Sequence, residues 1–183
     1  LIDGVALVDP ASETFYGMGR MASGIEIPYK GGDFYALKDV PHGDIRIKRY
    51  LSKATNSWRE MYVYTPPGYD QSSAKYPVLY LLHGGGEDQR GWATQGRTDL
   101  ILDNLIAESK AKPMIIVMLD GNMGGAGGLA GFNENVLRAF ENELKLGAIP
   151  FVESNFRAET DAKNRALAGL SMGGLQTLYA GIK

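Results

Sequence analysis

The sequence of 183 residues contains no cysteine, which excludes disulfides, thiolate nucleophiles and zinc sites built from cysteine. It also contains no apolar run long enough to span a membrane. Neither sign of charge is in excess, because 19 basic and 21 acidic residues give a formal net charge of -2. This balance offers no general attraction to nucleic acid or to an anionic membrane, so we do not expect a polyanionic substrate.

Glycine, by contrast, is abundant in a chain of otherwise ordinary globular composition, with 44% apolar and 22% charged residues. The 24 glycines cluster at residues 84–86, 121–131 and 173–174. Glycine is needed where the backbone turns sharply or approaches a ligand closely. Each cluster follows an apolar run, and that is where α/β folds place their sites.

Continuous apolar runs alternate with helical patterns in the second part of the chain. The runs at residues 78–82, 114–119 and, more weakly, 166–170 predict strands covered on both faces, as in a parallel sheet. The helical patterns place on one face Leu102, Leu105 and Ile106, and then Leu137, Phe140 and Leu144. Pro150 is expected to kink or restart the second helix. The alternation predicts an α/β fold, a mainly parallel sheet with flanking helices.

An antiparallel hairpin is predicted to lead into this sheet. Ile45, Ile47 and Leu51 fall on one face of an extended segment, and this alternation indicates a strand with one covered face. Residues 58–65 would form its partner across a turn near Thr55-Asn56.

The first thirty residues predict a short β-rich segment. Residues 5–8 predict a strand that Asp9-Pro10 ends. Because so short a segment cannot bury a core, we assign residues 1–30 to the tail of a preceding β-rich module, with the linker at residues 28–33. Residues 31–183 then belong to the α/β domain.

The motif Gly169-Leu170-Ser171-Met172-Gly173 matches the pattern G-x-S-x-G between a predicted strand and a predicted helix. A serine on such a tight turn is held in a strained conformation with its hydroxyl exposed, so Ser171 is a candidate nucleophile. The helix amino terminus directs free N–H groups at the site, and the N–H of Met172 could stabilise an oxyanion. A glycine-rich turn with an incidental serine is the alternative.

A second motif, His83-Gly84-Gly85-Gly86, directly follows the first buried strand. It matches the oxyanion loop that precedes the nucleophile in α/β-hydrolases, and we select Gly85 as the second N–H donor. A phosphate-binding loop would need a lysine and a hydroxyl residue after the glycines, where this chain has Glu87-Asp88. Two motifs in the right order indicate an acyl-transfer site.

Three further features are weighed against this interpretation. Residues 125–130 fit the dinucleotide pattern G-x-G-x-x-A, with Glu143 downstream, but the glycines do not directly follow a strand, so a loop at the rim of the active site is preferred. His83 is expected to brace the oxyanion loop and His42 to lie on the surface or at a domain contact. Neither is expected to be the general base.

These motifs resemble those of the Putative esterase family of α/β-hydrolases, which includes feruloyl and acetyl-xylan esterases, S-formylglutathione hydrolase and enterochelin esterase. The resemblance rests on residues 76–86, Gly91-Trp92 and residues 169–174, and it spans the chain from about Asp33 onward. It is closest to bacterial feruloyl esterases of carbohydrate esterase family 1, in which a β-sandwich module like a carbohydrate-binding domain precedes the hydrolase. Residues 31–183 would be the N-terminal part of the catalytic domain, incomplete at the C-terminus.

The resemblance implies catalysis by Ser171 through an acyl-enzyme, without a cofactor or a metal. In this fold an acid and a histidine follow the nucleophile in the chain. Because the sequence ends at Lys183, we expect a complementary C-terminal segment to supply both, and an isolated fragment is the alternative.

Trp92 and Gln95 follow the oxyanion loop and are candidates for substrate binding, since an aromatic wall suits a phenolic acid such as ferulate. A tryptophan packed in the core is the alternative. The expected substrate is a feruloylated or acetylated plant polysaccharide, and the expected location is secreted or periplasmic. An intracellular thioesterase such as S-formylglutathione hydrolase, a siderophore-ester hydrolase and a non-catalytic carbohydrate-binding scaffold remain alternatives.

Overall fold

The computed structural model describes residues 3–27, 30–124 and 133–182. Its strands are Glu13–Gly17 (β1), Arg20–Gly24 (β2), Asp44–Ser52 (β3), Ser57–Thr65 (β4), Val78–Leu82 (β5), Ile115–Leu119 (β6) and Arg165–Gly169 (β7). The last five form one sheet in the order β3-β4-β6-β5-β7. Strand β5 runs parallel to β6 and β7, whereas β4 is antiparallel to β3 and β6.

Within the described ranges, α-helices flank the sheet at Thr98–Ala107 (α1), Glu134–Glu143 (α2), Ile149–Asn155 (α3) and Met172–Gly181 (α4). A π-helical segment, Leu144–Ala148, joins α2 to α3. Pro150 lies in the first turn of α3, where its missing N–H costs nothing, so the expected restart is found there.

The predicted α/β sheet is confirmed, and the three apolar runs form its parallel strands. All five residues of β6 are buried, as expected for a strand covered on both faces. On the helices, Leu137, Phe140 and Leu144 are buried together. The carboxyl ends of β5, β6 and β7 meet at one edge of this sheet, and the loops that leave them carry the candidate site.

The antiparallel hairpin is also confirmed, and Ile45 packs against an apolar cluster as predicted, but along the rest of β3 the covered face is the opposite one. Ile47 and Leu51 are each 55% exposed, whereas Tyr50 and Ser52 are buried. The phenol of Tyr50 donates a hydrogen bond of 2.6 Å to the carboxylate of Glu143, and Ser52 donates a second bond to that carboxylate. Polar groups therefore determine the buried face of β3, since each finds a buried partner.

The N-terminal residues form β1 and β2, a two-stranded antiparallel hairpin. The predicted strand at residues 5–8 was wrong, because that segment is exposed and packs no apolar face. The assignment of residues 1–30 to a preceding module stays a prediction. In the described part of the chain, no helix combines the length and the apolar character needed to cross a membrane.

Candidate active site

The carboxyl ends of β5 and β7 bring the two predicted motifs side by side. Leu82, the last residue of β5, is paired with Gly169, the last residue of β7. The N–H of Leu170 donates a hydrogen bond of 3.2 Å to the carbonyl of Leu82. The glycine loop at residues 83–86 and the serine turn therefore start from neighbouring positions on the sheet.

Ser171 occupies the turn between β7 and α4 with φ 51° and ψ −110°. Residues other than glycine rarely adopt positive φ, so this backbone is strained. Ser171 is exposed, and its side chain makes no capping hydrogen bond to α4. The hydroxyl is therefore presented at the positive end of the α4 dipole without being used to hold the helix.

Two glycines make this turn possible by letting backbone pass close to backbone. A Cβ on Gly169 would lie 2.4 Å from the carbonyl carbon of Gly173. A Cβ on Gly173 would lie 2.7 Å from the carbonyl oxygens of Leu82 and His83. A side chain at Gly169 would force the serine turn itself apart, and one at Gly173 would separate the turn from the start of the glycine loop, which explains the small residues two before and two after Ser171.

The buried ring of His83 organises the glycine loop. Its Nδ1 lies 2.8 Å from the carbonyl oxygen of Gly84, and because a carbonyl only accepts, Nδ1 carries the proton. Its Nε2 accepts a 2.8 Å hydrogen bond from the N–H of Gly121, in the loop after β6. In a trans peptide the C=O and N–H point in opposite directions, so the N–H of the exposed Gly85 points away from the His83 ring.

Two contacts in this region were not predicted from the sequence. The carboxylate of Glu87 accepts a 3.0 Å hydrogen bond from the N–H of Gly84. Gln176 of α4, 1% exposed, donates a 2.8 Å hydrogen bond to the carbonyl of Gly121. Glu87 follows Gly84 by three residues, a spacing that signals a side chain folding back onto the backbone, but no sequence pattern indicated Gln176.

Neither histidine of the chain offers a free ring nitrogen. His83 is fully buried with both nitrogens bonded as described. His42 is exposed, and its Nδ1 lies 2.9 Å from Asp103 and its Nε2 3.0 Å from the carbonyl of Lys38. The hydrogen bond to Asp103 is the main reason that the pKa of His42 is raised above its ordinary value, against the opposing effect of burial. Both histidines thus hold structure in this arrangement.

The two predicted substrate-binding residues have different surroundings. Trp92 is half-buried and packs against an apolar cluster that includes Leu102 and Met118, and its indole N–H is buried without a partner among the described residues. This environment agrees with the alternative interpretation, in which Trp92 packs in the core. Gln95 is exposed and borders a cavity of about 430 Å³, which residues of the β1–β2 hairpin also line. Their role in substrate binding stays a prediction.

The dinucleotide-like residues 125–130, and with them the predicted rim loop, lie outside the described residues. The downstream Glu143 is 1% exposed and accepts hydrogen bonds from Tyr50 and Ser52. Its carboxylate is therefore buried and bonded to these two side chains, and it is not presented to a nucleotide. Across the described ranges, no group of three or more histidine or acidic side chains is arranged to hold a metal ion.

A further unpredicted contact joins the β1–β2 hairpin to the glycine loop. The N–H of Gly19, in the hairpin turn, donates a 2.8 Å hydrogen bond to the carbonyl of Gly86. The guanidinium of Arg90 lies 4.9 Å from the centre of the Tyr16 ring. The hairpin thus borders the candidate site.

Comparison with known proteins finds relatives that are named as feruloyl or ferulic acid esterases. The chain is 43% identical, over 96% of its length, to an endo-1,4-beta-xylanase/feruloyl esterase of Xylanibacter ruminicola. Among solved structures it superposes with a TM-score of 0.71 on a CE1 ferulic acid esterase from Anaeromyces mucronatus in complex with ferulic acid, at 31% identity over 82% of this chain. It also superposes with a TM-score of 0.66 on the feruloyl esterase module from Clostridium thermocellum complexed with sinapinate, at 26% identity over 92% of this chain.

The chain spans only part of these proteins. It covers 25% of the Xylanibacter enzyme, 57% of the Anaeromyces chain and 54% of the Clostridium chain. The family model described as Putative esterase matches residues 52–183, which include both motifs of the candidate site. The chain therefore belongs to the Putative esterase family.

Proposed function

We propose that this chain supplies the nucleophile and the oxyanion-binding groups of a serine esterase that hydrolyses feruloyl or acetyl esters on plant cell-wall polysaccharide. The observation that carries the proposal is the conformation of Ser171, which is exposed at positive φ beside a loop of glycines. A scaffold without catalytic activity gains nothing from a strained serine, whereas a nucleophile gains access to substrate.

The oxyanion site in this proposal consists of the N–H groups of Met172 and Gly85. Met172 is the first residue of α4, so its N–H has no partner within the helix and is directed at the helix amino terminus. His83 orients the Gly84 peptide and thereby the N–H of Gly85. Two fixed donors of this kind stabilise developing negative charge better than water does, because they need no reorganisation.

The reaction would follow the two steps of acyl transfer. The Ser171 oxygen bonds to the ester carbonyl carbon while a general base takes its proton, and the carbonyl oxygen becomes an oxyanion. Collapse of this intermediate breaks the bond to the alcohol, which leaves with the proton returned by the base. Water then attacks the acyl-enzyme by the same path, releasing the acid and restoring Ser171.

The base and its orienting acid would come from a complementary C-terminal segment. Both histidines of this chain are engaged in other contacts. Strand β7 lies at the edge of the sheet, and a groove beside it is lined by Leu167, Leu178 and Ile182, of which Leu178 and Ile182 are 59% and 79% exposed. A further strand that pairs with β7 would cover these side chains and satisfy its open edge.

The proposed substrate class is supported by the relatives, which are named as feruloyl or ferulic acid esterases and two of which are complexed with ferulic acid or sinapinate. One of them is also a xylanase, which supports an ester on xylan as the substrate and a secreted or periplasmic location. The bound acid would be aromatic and the alcohol would be a sugar. No cofactor takes part in this chemistry.

The test compares Ser171→Ala with a matched control, Ser73→Ala, at another exposed serine. Both are made in a protein that carries this chain together with its C-terminal continuation, and release of ferulate from methyl ferulate is followed. We expect Ser171→Ala to lower kcat at least about a thousandfold and Ser73→Ala to leave it unchanged. Turnover by Ser171→Ala at the unaltered rate, or no turnover by the parent protein, would contradict the proposal.

A further inference from the structure

The turn of the β1–β2 hairpin has an unfavourable residue at a position where the backbone requires positive φ. Gly17 pairs with Arg20, so Met18 and Gly19 form a two-residue turn with φ of 53° and 73°. Such a turn prefers asparagine or glycine at its first position, because only these residues adopt positive φ at low cost. Methionine therefore strains the turn and is not explained by the turn itself.

Packing does not explain Met18 either. The residue is 87% exposed, whereas a methionine that filled a gap in the core would be covered. The strained backbone at Met18 is therefore explained neither by the turn nor by the core, and strain of this kind points to a function.

The surroundings of Met18 show what it could contact. A Cβ on Gly86 would lie 3.0 Å from the Cα of Met18 and 3.2 Å from its nitrogen, so the turn rests directly on the glycine loop. The N–H of Gly19 holds the Gly86 carbonyl at 2.8 Å. Gly85, whose N–H points away from the His83 ring, directly precedes Gly86 in that loop.

The hairpin is fixed in this position at its two ends. Near the turn, Arg90 lies over the ring of Tyr16. At the opposite end, Glu26 forms an ion pair with Arg97, which follows the glycine loop in the chain. Both ends of the hairpin are thus held by arginines of the segment that follows the glycine loop.

We propose that Met18 is a specificity-determining residue that contacts the aromatic ring of the acyl group while the ester carbonyl lies on the Gly85 N–H. This inference rests on the function proposed above. The thioether of methionine is polarisable and interacts favourably with aromatic rings, which suits a hydroxycinnamoyl group and gives nothing to an acetyl group. The first thirty residues would then contribute to the ester site as well as adjoin it.

The decisive variant is Met18→Asn, because asparagine suits the turn better than methionine but removes the apolar side chain. Three esters separate the possible contacts: methyl ferulate has an aromatic acid, 4-nitrophenyl acetate has an aromatic alcohol, and methyl acetate has neither. We expect Met18→Asn to raise KM for methyl ferulate about two- to tenfold, with the other two esters unchanged and the melting temperature not lowered.

Two further variants control the result. Met18→Leu keeps an apolar side chain and should stay within about threefold of the parent KM for methyl ferulate. Met21→Gln alters the other methionine of the same hairpin, which is 42% exposed, and should leave all three esters unchanged. Equal effects on methyl ferulate and methyl acetate, an effect confined to 4-nitrophenyl acetate, or no effect at all would each refute the contact.

Binding of free ferulate, measured by calorimetry, distinguishes failure of this inference from failure of the proposed esterase. A higher Kd for ferulate in Met18→Asn supports the contact with the aromatic ring. It does so even if Ser171→Ala keeps its activity and thereby contradicts the serine mechanism. An unchanged Kd, together with an unchanged KM for methyl ferulate, refutes the contact and leaves the serine mechanism intact.

Discussion

The N–H of Gly121 donates a hydrogen bond of 2.8 Å to Nε2 of His83, and this bond joins the loop after β6 to the loop after β5. It fixes the ring whose Nδ1 holds the Gly84 carbonyl. Gln176 supports the same junction from α4 by donating to the Gly121 carbonyl. Two loops thus meet at one buried histidine behind the candidate oxyanion site, and helix α4 supports one of them through Gln176.

Replacing His83 by phenylalanine should therefore destabilise the protein and misplace the glycine loop. It would leave the Gly121 N–H unpaired, which costs about 1–3 kcal/mol for a buried polar group. The Gly84 carbonyl would lose the bond from the ring, worth about 1 kcal/mol, but would keep its 3.3 Å hydrogen bond from the Glu87 N–H. We expect the free energy of unfolding in urea to fall by about 2–4 kcal/mol and kcat for methyl ferulate to fall more than KM rises. A variant with unchanged unfolding and kcat would show that the ring does not organise the loop.

The packing of Gly173 gives a second prediction, for which the chain offers its own control. In Gly173→Ala the new Cβ would approach the backbone of Leu82 and His83 to 2.7 Å, so the serine turn must move. We expect a loss of about 1–3 kcal/mol in the free energy of unfolding and loss of esterase activity.

The control for Gly173 is Gly181→Ala in the same helix, where an added Cβ meets nothing within 4 Å. That variant should keep its activity and be neutral or more stable by up to about 1 kcal/mol, since alanine favours a helix over glycine. Equal behaviour of the two variants would show that the close approach at Gly173 is not required.

The sequence predicted the part of the site that depends on local pattern. Apolar runs locate β5, β6 and β7, and the carboxyl ends of parallel strands meet, so the pattern places Ser171 and the glycine loop at the same edge of the sheet. That β7 pairs with β5 and not with β6, which precedes it in the chain, comes from the structure. Spacing also explains why Gly169 and Gly173 are small.

Contacts between distant segments were not predictable in the same way. The predicted buried face of β3 was wrong at Ile47 and Leu51, because Tyr50 and Ser52 on the other face find a polar partner in Glu143, 93 and 91 residues away. The contact of Gly19 with Gly86 depends on how two segments dock, which no periodicity records. Apolar patterns report which residues avoid water, but not which buried polar groups find each other.

The strain at Ser171 predicts that removing the side chain stabilises the fold. Ser171→Gly should raise the free energy of unfolding by roughly 1–2 kcal/mol, because glycine adopts the positive φ of this turn at no steric cost. Ser171→Ala keeps a Cβ and with it most of the strain, so it should be clearly less stable than Ser171→Gly. Both variants lack the hydroxyl, so a difference between their melting temperatures reports the backbone strain alone. Equal melting temperatures would argue against strain at this residue.

The contact between His42 and Asp103 predicts how stability depends on pH. Nδ1 of His42 lies against the Asp103 carboxylate and Nε2 against the Lys38 carbonyl, and both partners only accept, so the geometry favours the protonated ring. The pKa of His42 is accordingly raised, chiefly by the hydrogen bond to Asp103. Since the folded state binds this proton more tightly than the unfolded state, the contribution is fully present below pH about 6.5 and is lost as pH rises through the higher pKa of the folded state.

We therefore expect the midpoint of urea unfolding to decrease between about pH 6 and pH 8. In His42→Gln this decrease should be smaller, while Asp103 keeps its hydrogen bonds from Tyr64 and the Gly43 N–H, so the fold survives. The ring protons of His42, assigned by their absence from the spectrum of His42→Gln, should titrate above pH 6.5. A wild-type midpoint that rises over this range, or a slope that His42→Gln leaves unchanged, would show that another group controls the pH dependence.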